Sequence, residues 1–277
     1  MLTKIGRRSL KYYKNTAFSI TVQANLHENV SAANDSQIEH FTLFKNEWWN
    51  EMGVMKPLHS LNRLRVPLIR DGLINTGSVQ KNLINTPQPL TNLQILEVGC
   101  GGGILTEALA RLGCCVTGID TASDLIKVAK EHSSNNDLLK GINYDSTTIE
   151  KFANDNMEKF DAVVASEVLE HVDGKDAFLE ACVKCLKPEG SIFITTINQT
   201  LTSWLLVVAM AENVIRILPQ GTHFYDKFIA PHRTQKILEH NNCKTRLVHG
   251  YFYNFVTNSW SWSTNTSVHY AIHAVKM

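Results

Sequence analysis

Leu96-Glu97-Val98-Gly99-Cys100-Gly101-Gly102-Gly103-Ile104-Leu105 is the stretch whose reading decides the fold. It joins a short apolar strand, Leu93–Val98, to a segment, Ile104–Leu112, whose apolar residues recur at helical spacing. Glycines at such a junction let the backbone turn tightly and approach a ligand without Cβ obstruction. Three in a row, Gly101 to Gly103, destabilise a chain unless something requires them. Asp120 closes the following strand, Cys115–Ile119. A carboxylate there can accept hydrogen bonds from both hydroxyls of a ribose. A dinucleotide-binding turn, G-x-G-x-x-G, would need glycine at position 104, where Ile104 stands, and rarely starts with an acid two residues before its first glycine.

Outward from this stretch, strands and helices alternate, which predicts a mostly parallel sheet with helices on both faces. Helices are expected at Thr121–His132, Ala177–Leu186 and Pro231–Asn241. Strands are expected at 142–146, Phe160–Ala165, Ser191–Ile197, Thr245–Gly250 and Val268–Val275. Residues 31–76 read as a helical approach, with Ile38, Phe41, Leu43, Phe44 and Trp48 at roughly helical spacing. Residues 77–92, polar with Pro87 and Pro89, read as a linker. The acidic start Glu97-x-Gly99-x-Gly101 resembles motif I of the class I S-adenosylmethionine-dependent methyltransferases, whose cofactor has no pyrophosphate for a helix N-terminus to grip.

Ser166-Glu167-Val168-Leu169-Glu170-His171 directly follows the strand Phe160–Ala165. On a helical turn, Glu167, Glu170 and His171 at i, i+3 and i+4 would share one face. Two readings stand: a divalent-cation site, or acids complementing a helix dipole. Ser203–Leu218 has a narrow polar stripe, Glu212, Asn213 and Arg216, against a wide apolar arc. It is either a core helix or one lying in a membrane interface with Trp204 near the headgroups. The pair Trp48-Trp49 either covers a ligand or pins the N-terminal segment to the domain.

Composition excludes several classes. Of 277 residues, 44% are hydrophobic and 19% charged, unlike a disordered chain. The longest wholly apolar run, Trp204–Ala211, is far short of the ~20 residues of a spanning helix. Residues 1–30 hold five bases and one acid, Glu28, and read as a mitochondrial transit peptide. The remainder is slightly acidic and offers no basic footprint for nucleic acid. No Asn/Asp-Pro-Pro-Tyr/Phe motif of nucleic-acid amino methyltransferases follows the fourth strand. Cys182-x-x-Cys185 lacks a second metal-ligand pair of matching spacing, and reads as two small buried helix residues.

Taken together, Trp48-Trp49, Lys56-Pro57-Leu58-His59, Leu96–Leu105, Glu167-Val168-Leu169-Glu170-His171-Val172 and Gly221-Thr222-His223 resemble the mitochondrial ubiquinone-biosynthesis O-methyltransferases. The resemblance runs from about Ile38 to the C-terminus. Asn50, where the family often has Asp, and the stretch Ser259–Val268 depart from it. It implies an α/β class I methyltransferase fold, Rossmann-like with a seven-stranded sheet, spanning 93–277. A membrane-facing insertion would occupy 202–223, and residues 31–92 would form a helical extension and linker. It implies cofactor contacts at Arg65, Glu97, Gly99, Gly101, Asp120 and Ser166. It puts Mg²⁺ or another divalent cation at Glu167, Glu170 and His171. The sequence marks no catalytic base, and His171 is the candidate for one. The substrate it implies is a polyprenyl catechol, a dihydroxybenzoate or demethylubiquinol, methylated on a ring hydroxyl. The implied setting is the matrix side of the mitochondrial inner membrane, in a multi-protein coenzyme Q biosynthetic complex.

Overall fold

A computed structural model describes residues 42, 44–200, 202–203 and 227–277, all within the compact unit Ser31–Met277. The transit-peptide expectation, the first part of the helical approach, nearly all of the amphipathic stretch and the Gly221-Thr222-His223 block lie outside the described residues.

The described residues form eight strands and six α-helices, written here β1–β8 and α1–α6. In chain order they are α1 Lys56–Asn75, β1 Gln94–Val98, α2 Ile104–Ala110, β2 Cys115–Asp120 and α3 Ser123–Ser134. Then come β3 Asn143–Ser146, α4 Ile149–Asp155, β4 Phe160–Ser166, α5 Lys175–Cys185 and β5 Leu186–Ile197. The last are α6 Pro231–His240, β6 Cys243–Asn254, β7 Ser259–Ser263 and β8 His269–Lys276. The sheet order is β3-β2-β1-β4-β5-β8-β6-β7. The first five of these strands pair in parallel, and β8 runs antiparallel between β5 and β6. The sheet has one strand more than expected, because the stretch that departs from the family pattern folds back as the edge strand β7. Helix α4 is also additional, with Thr148 accepting from the Lys151 N–H as its cap.

Two cores follow from the period-2 alternation of buried strands. One face collects Leu96, Val163, Ile192 and Ile272 under α5 and α6, with Phe178, Leu179 and Leu238. The other collects Ile95, Val164, Phe193 and Ala271 under α1 and α2, with Leu61, Ile69, Leu73 and Leu109. Each such fully buried side chain contributes roughly 1.5–3 kcal/mol. Helix α1 is therefore part of the core. The polar segment 77–92 also packs: Val79 and Leu90 are buried, and the Leu90 N–H donates to Leu112 O at 3.0 Å. Cys182 and Cys185 lie buried on α5, as their helical spacing led us to expect.

Candidate active site

The carboxyl ends of β1, β2, β4 and β5 gather the candidate residues at one edge of the sheet. After β1 the chain turns through Gly99, Gly101 and Gly103, with φ of +74°, +53° and +91°, values at which a side chain is strained. Their missing Cβ atoms matter in a second way. At Gly99 a Cβ would strike Val168 of the loop after β4, and at Gly101 and Gly102 it would strike the Trp48 indole. The glycines thus let neighbouring side chains close on the loop as well as the loop approach a ligand. Trp48 is buried over it. Trp49 donates from Nε1 to Gly102 O at 3.0 Å and stacks on His132 with ring centroids 3.5 Å apart. The pair both covers the glycine loop and pins the N-terminal segment.

Asp120 ends β2 with one carboxylate oxygen accepting from the Gly101 N–H and the other from the Ala122 N–H, both at 2.8 Å. Partial burial raises its pKa, and those amides oppose the rise. Glu97 is buried at the end of β1, where Oε2 accepts from Thr106 Oγ1 at 2.5 Å. Burial lifts its carboxyl to about 7 against the pull of the Arg65 charge and the Thr106 hydroxyl.

Arg65 reaches in from α1. Its guanidinium donates to Ser166 Oγ at 3.0 Å, Asn62 Oδ1 at 2.6 Å and Leu58 O at 3.2 Å. Ser166 Oγ in turn lies 2.8 Å from Thr195 Oγ1 at the end of β5. Arg65, Glu97, the glycine loop, Asp120 and Ser166 are therefore brought together as the sequence led us to expect. This set fits a nucleoside cofactor: the loop has the left-handed turns of a ligand-approaching backbone, and a partly buried carboxylate stands beside it.

The expected helical face of Glu167, Glu170 and His171 does not form. Glu167 takes a left-handed conformation, φ +57°, and only Leu169–His171 make a short 3-10 turn. The Glu167 N–H is drawn to Thr195 O, 2.8 Å away, which breaks the helical path. Glu167 Oε1 accepts from Tyr251 OH at 2.5 Å, whereas Glu170 is buried and Oε2 accepts from Thr196 Oγ1 at 2.7 Å. Burial and then the Glu167 charge raise the Glu170 carboxyl to about 8. The donor types suit a hard cation. Their arrangement does not: among the described residues no group of three or more His, Cys, Asp or Glu is placed to hold a metal.

Sequence reasoning missed Asn62, Thr195, Thr196 and Tyr251. Asn62 and Arg65 at i and i+3 on a helix were open to pairing by spacing alone. The other three come from strands far along the chain, and no local pattern marks them.

The fold and this site define a class I S-adenosylmethionine-dependent methyltransferase. Residues 96–194 match the family described as "Methyltransferase domain". The chain is 45% identical over 242 residues to the mitochondrial ubiquinone biosynthesis O-methyltransferase of Bos taurus, covering 87% of this chain and 64% of that one. It is 39% identical to the ubiquinone biosynthesis O-methyltransferase of Bartonella bacilliformis, covering 87% and 95% respectively. The chain belongs to the ubiquinone biosynthesis O-methyltransferases. Among solved structures, magnesium protoporphyrin IX methyltransferase from Synechocystis PCC 6803, with bound SAH, shares the fold at TM-score 0.56 and 15% identity. That match covers 88% of this chain and 95% of that one.

Proposed function

We propose that this protein transfers a methyl group from S-adenosylmethionine to a ring hydroxyl of a polyprenyl dihydroxybenzene in ubiquinone biosynthesis. The observation that carries the reading is the joining of Arg65, Ser166, the Gly99–Gly103 loop and Asp120 at one sheet edge, in a chain of this family. S-adenosylmethionine supplies an electrophilic methyl on a sulfonium. Asp120 would hold the ribose hydroxyls, as its place at the end of β2 suits. Arg65, fixed by Asn62 and the Leu58 carbonyl, orients Ser166 and balances Glu97. Trp48 excludes water from the glycine loop. The ring proton must leave for the ether to form, and in the cation-free protein His171, at the end of the 3-10 turn, is the group we assign to receive it.

Were a divalent cation bound, Glu167, Glu170 and His171 would be the residues to hold it, and it would acidify the ring hydroxyl. Support comes from the mutual repulsion of the two carboxylates, which a cation would relieve. Relatives with mitochondrial names and the basic N-terminus support a mitochondrial location. The matrix side of the inner membrane, the amphipathic insertion 202–223 on that membrane, and a coenzyme Q biosynthetic complex belong to the same reading.

Calorimetry with S-adenosylmethionine, then turnover on a short-tailed dihydroxybenzoate with and without excess chelator, tests it. The expected products are S-adenosylhomocysteine and a mono-methyl ether, identified by mass spectrometry. A folded protein that binds no S-adenosylmethionine, or binds it and methylates no dihydroxy aromatic, overturns the reading. Full turnover by metal-free protein removes the cation alone.

A further inference from the structure

The hairpin between β6 and β7 carries a feature the reaction does not use. Strands β5 and β6 both pair antiparallel to β8, so β6 runs parallel to β5, and its carboxyl end lies at the site edge. The β6–β8 pairing stops at Tyr251↔His269, yet β6 continues to Asn254, paired only with β7. The hairpin therefore overhangs the sheet on the side of the active site.

Its tip displays Phe255, 63% exposed, and Val256, 80% exposed, and strand β6 below the tip adds Phe252, 49% exposed. Exposure of this kind on a rigid projection is not what folding alone selects. The tip is rigid because Asn254 Oδ1 accepts from the N–H groups of Val256 and Thr257, at 3.0 and 3.3 Å. Asn258 Oδ1 accepts from Tyr253 OH at 2.9 Å and from Ser60 Oγ at 3.1 Å. Trp260 Nε1 donates to Pro57 O at 2.9 Å. Those last two bonds fasten the hairpin to the first turns of α1. Beside the tip, Asn258 also lines a cleft of about 400 Å³ with Lys56 and Arg63. No hydrogen bond or ion pair engages either cation among the described residues. Glu51 is the exposed acid on that cleft, and Glu107, also there, is held by His132 and Arg111.

We propose that the Phe252–Val256 finger inserts into the surface of an anionic lipid bilayer, with Lys56 and Arg63 meeting phosphate headgroups. Apolar side chains flanked by unpaired cations complement such a surface in both hydrophobicity and charge. The finger would set the site edge against the bilayer, where a tail-bearing ring is dissolved. The inference rests on the polyprenyl reading of the substrate. It places the contact on the β6–β7 hairpin and the first turns of α1.

The test uses full-length protein and vesicles of phosphatidylcholine with or without phosphatidylglycerol. An environment-sensitive fluorophore is attached at Val256→Cys in a Cys115→Ser background, since Cys115 is exposed. Its emission should shift to the blue with anionic vesicles. The double variant Phe255→Asp, Val256→Asp should lose vesicle affinity by roughly tenfold or more. Lys56→Glu with Arg63→Glu should weaken binding to anionic vesicles and leave neutral ones unaffected. Because the tip residues are exposed, melting temperature, S-adenosylmethionine affinity and turnover on a short-tailed substrate should stay at wild-type levels. Those readouts separate failure here from failure of the proposed function. Unshifted emission at position 256 overturns the inference, as does unchanged vesicle affinity of the double variant. The latter would return the patch to a protein partner.

Discussion

Asp120 has two tasks in this structure, and they predict separable effects. Its carboxylate binds the Gly101 and Ala122 amides, and in the proposed function it also holds the ribose hydroxyls. Asp120→Ala should weaken S-adenosylmethionine binding by roughly 10–100-fold, since charge-assisted hydrogen bonds contribute roughly 1.5–3 kcal/mol. It should also lower the melting temperature of the cofactor-free protein, because two amides lose their acceptor. Asp120→Asn keeps an acceptor oxygen for one amide and should recover part of the stability but little of the affinity. Calorimetry and a thermal melt on both variants check this; wild-type affinity in folded Asp120→Ala would remove the nucleoside role. Asp120 and the glycines were legible because strand-end chemistry is local. The Tyr251–Glu167 contact was not, because it spans 84 positions and joins strands that only the closed sheet brings together.

Helix α1 shows how an element that reads as an appendage becomes structural. A Cβ at Gly72 would stand 2.5 Å from Phe193 Cε1, and that ring is itself stacked on His273 at 4.3 Å. Glycine to alanine inside a helix ordinarily stabilises by about 0.5–1 kcal/mol. Here overpacking should win, and Gly72→Ala should destabilise by roughly 1–3 kcal/mol. Urea titration decides the sign, and a stabilised variant would mean that Phe193 can yield. The same element scale explains the uneven success of sequence reading. Strands β1, β2, β4 and β5 were legible because buried parallel strands are short continuous apolar runs bounded by turns. Strand β7, Ser-Trp-Ser-Trp-Ser, hid among polar residues, and its tryptophans face Tyr251 and Tyr253. The stretch 167–171 misled because acids at i and i+3 suit a helix, whereas the bond from the Glu167 N–H to Thr195 O diverts the backbone.

At the scale of the whole molecule, His273 should make folding less favourable in acid. The imidazole is buried in β8, with Nε2 3.0 Å from Ser191 Oγ. Burial, helped by the Arg246 charge, pushes its pKa down to about 4 from an ordinary 6.5. A base held neutral in the folded state favours folding fully above pH 6.5. That contribution is lost as pH falls from 6.5 through 4, when the unfolded chain takes the proton first. The loss should reach on the order of 3 kcal/mol. His273→Asn should be less stable at pH 7 yet lose less between pH 6.5 and 4; an equal acid slope in both proteins would exclude His273 as the source. The strand that carries His273 has a consequence for how the molecule is made. Strand β8 follows β5 and β6 in the chain, yet among the described residues it is the strand that joins them in the sheet. During synthesis the facing edges of both neighbours stay open until β8 has been made, a hazard for aggregation. A message truncated just before His269 would yield a polypeptide with its glycine loop and Asp120 intact and without the strand that closes the sheet beside them.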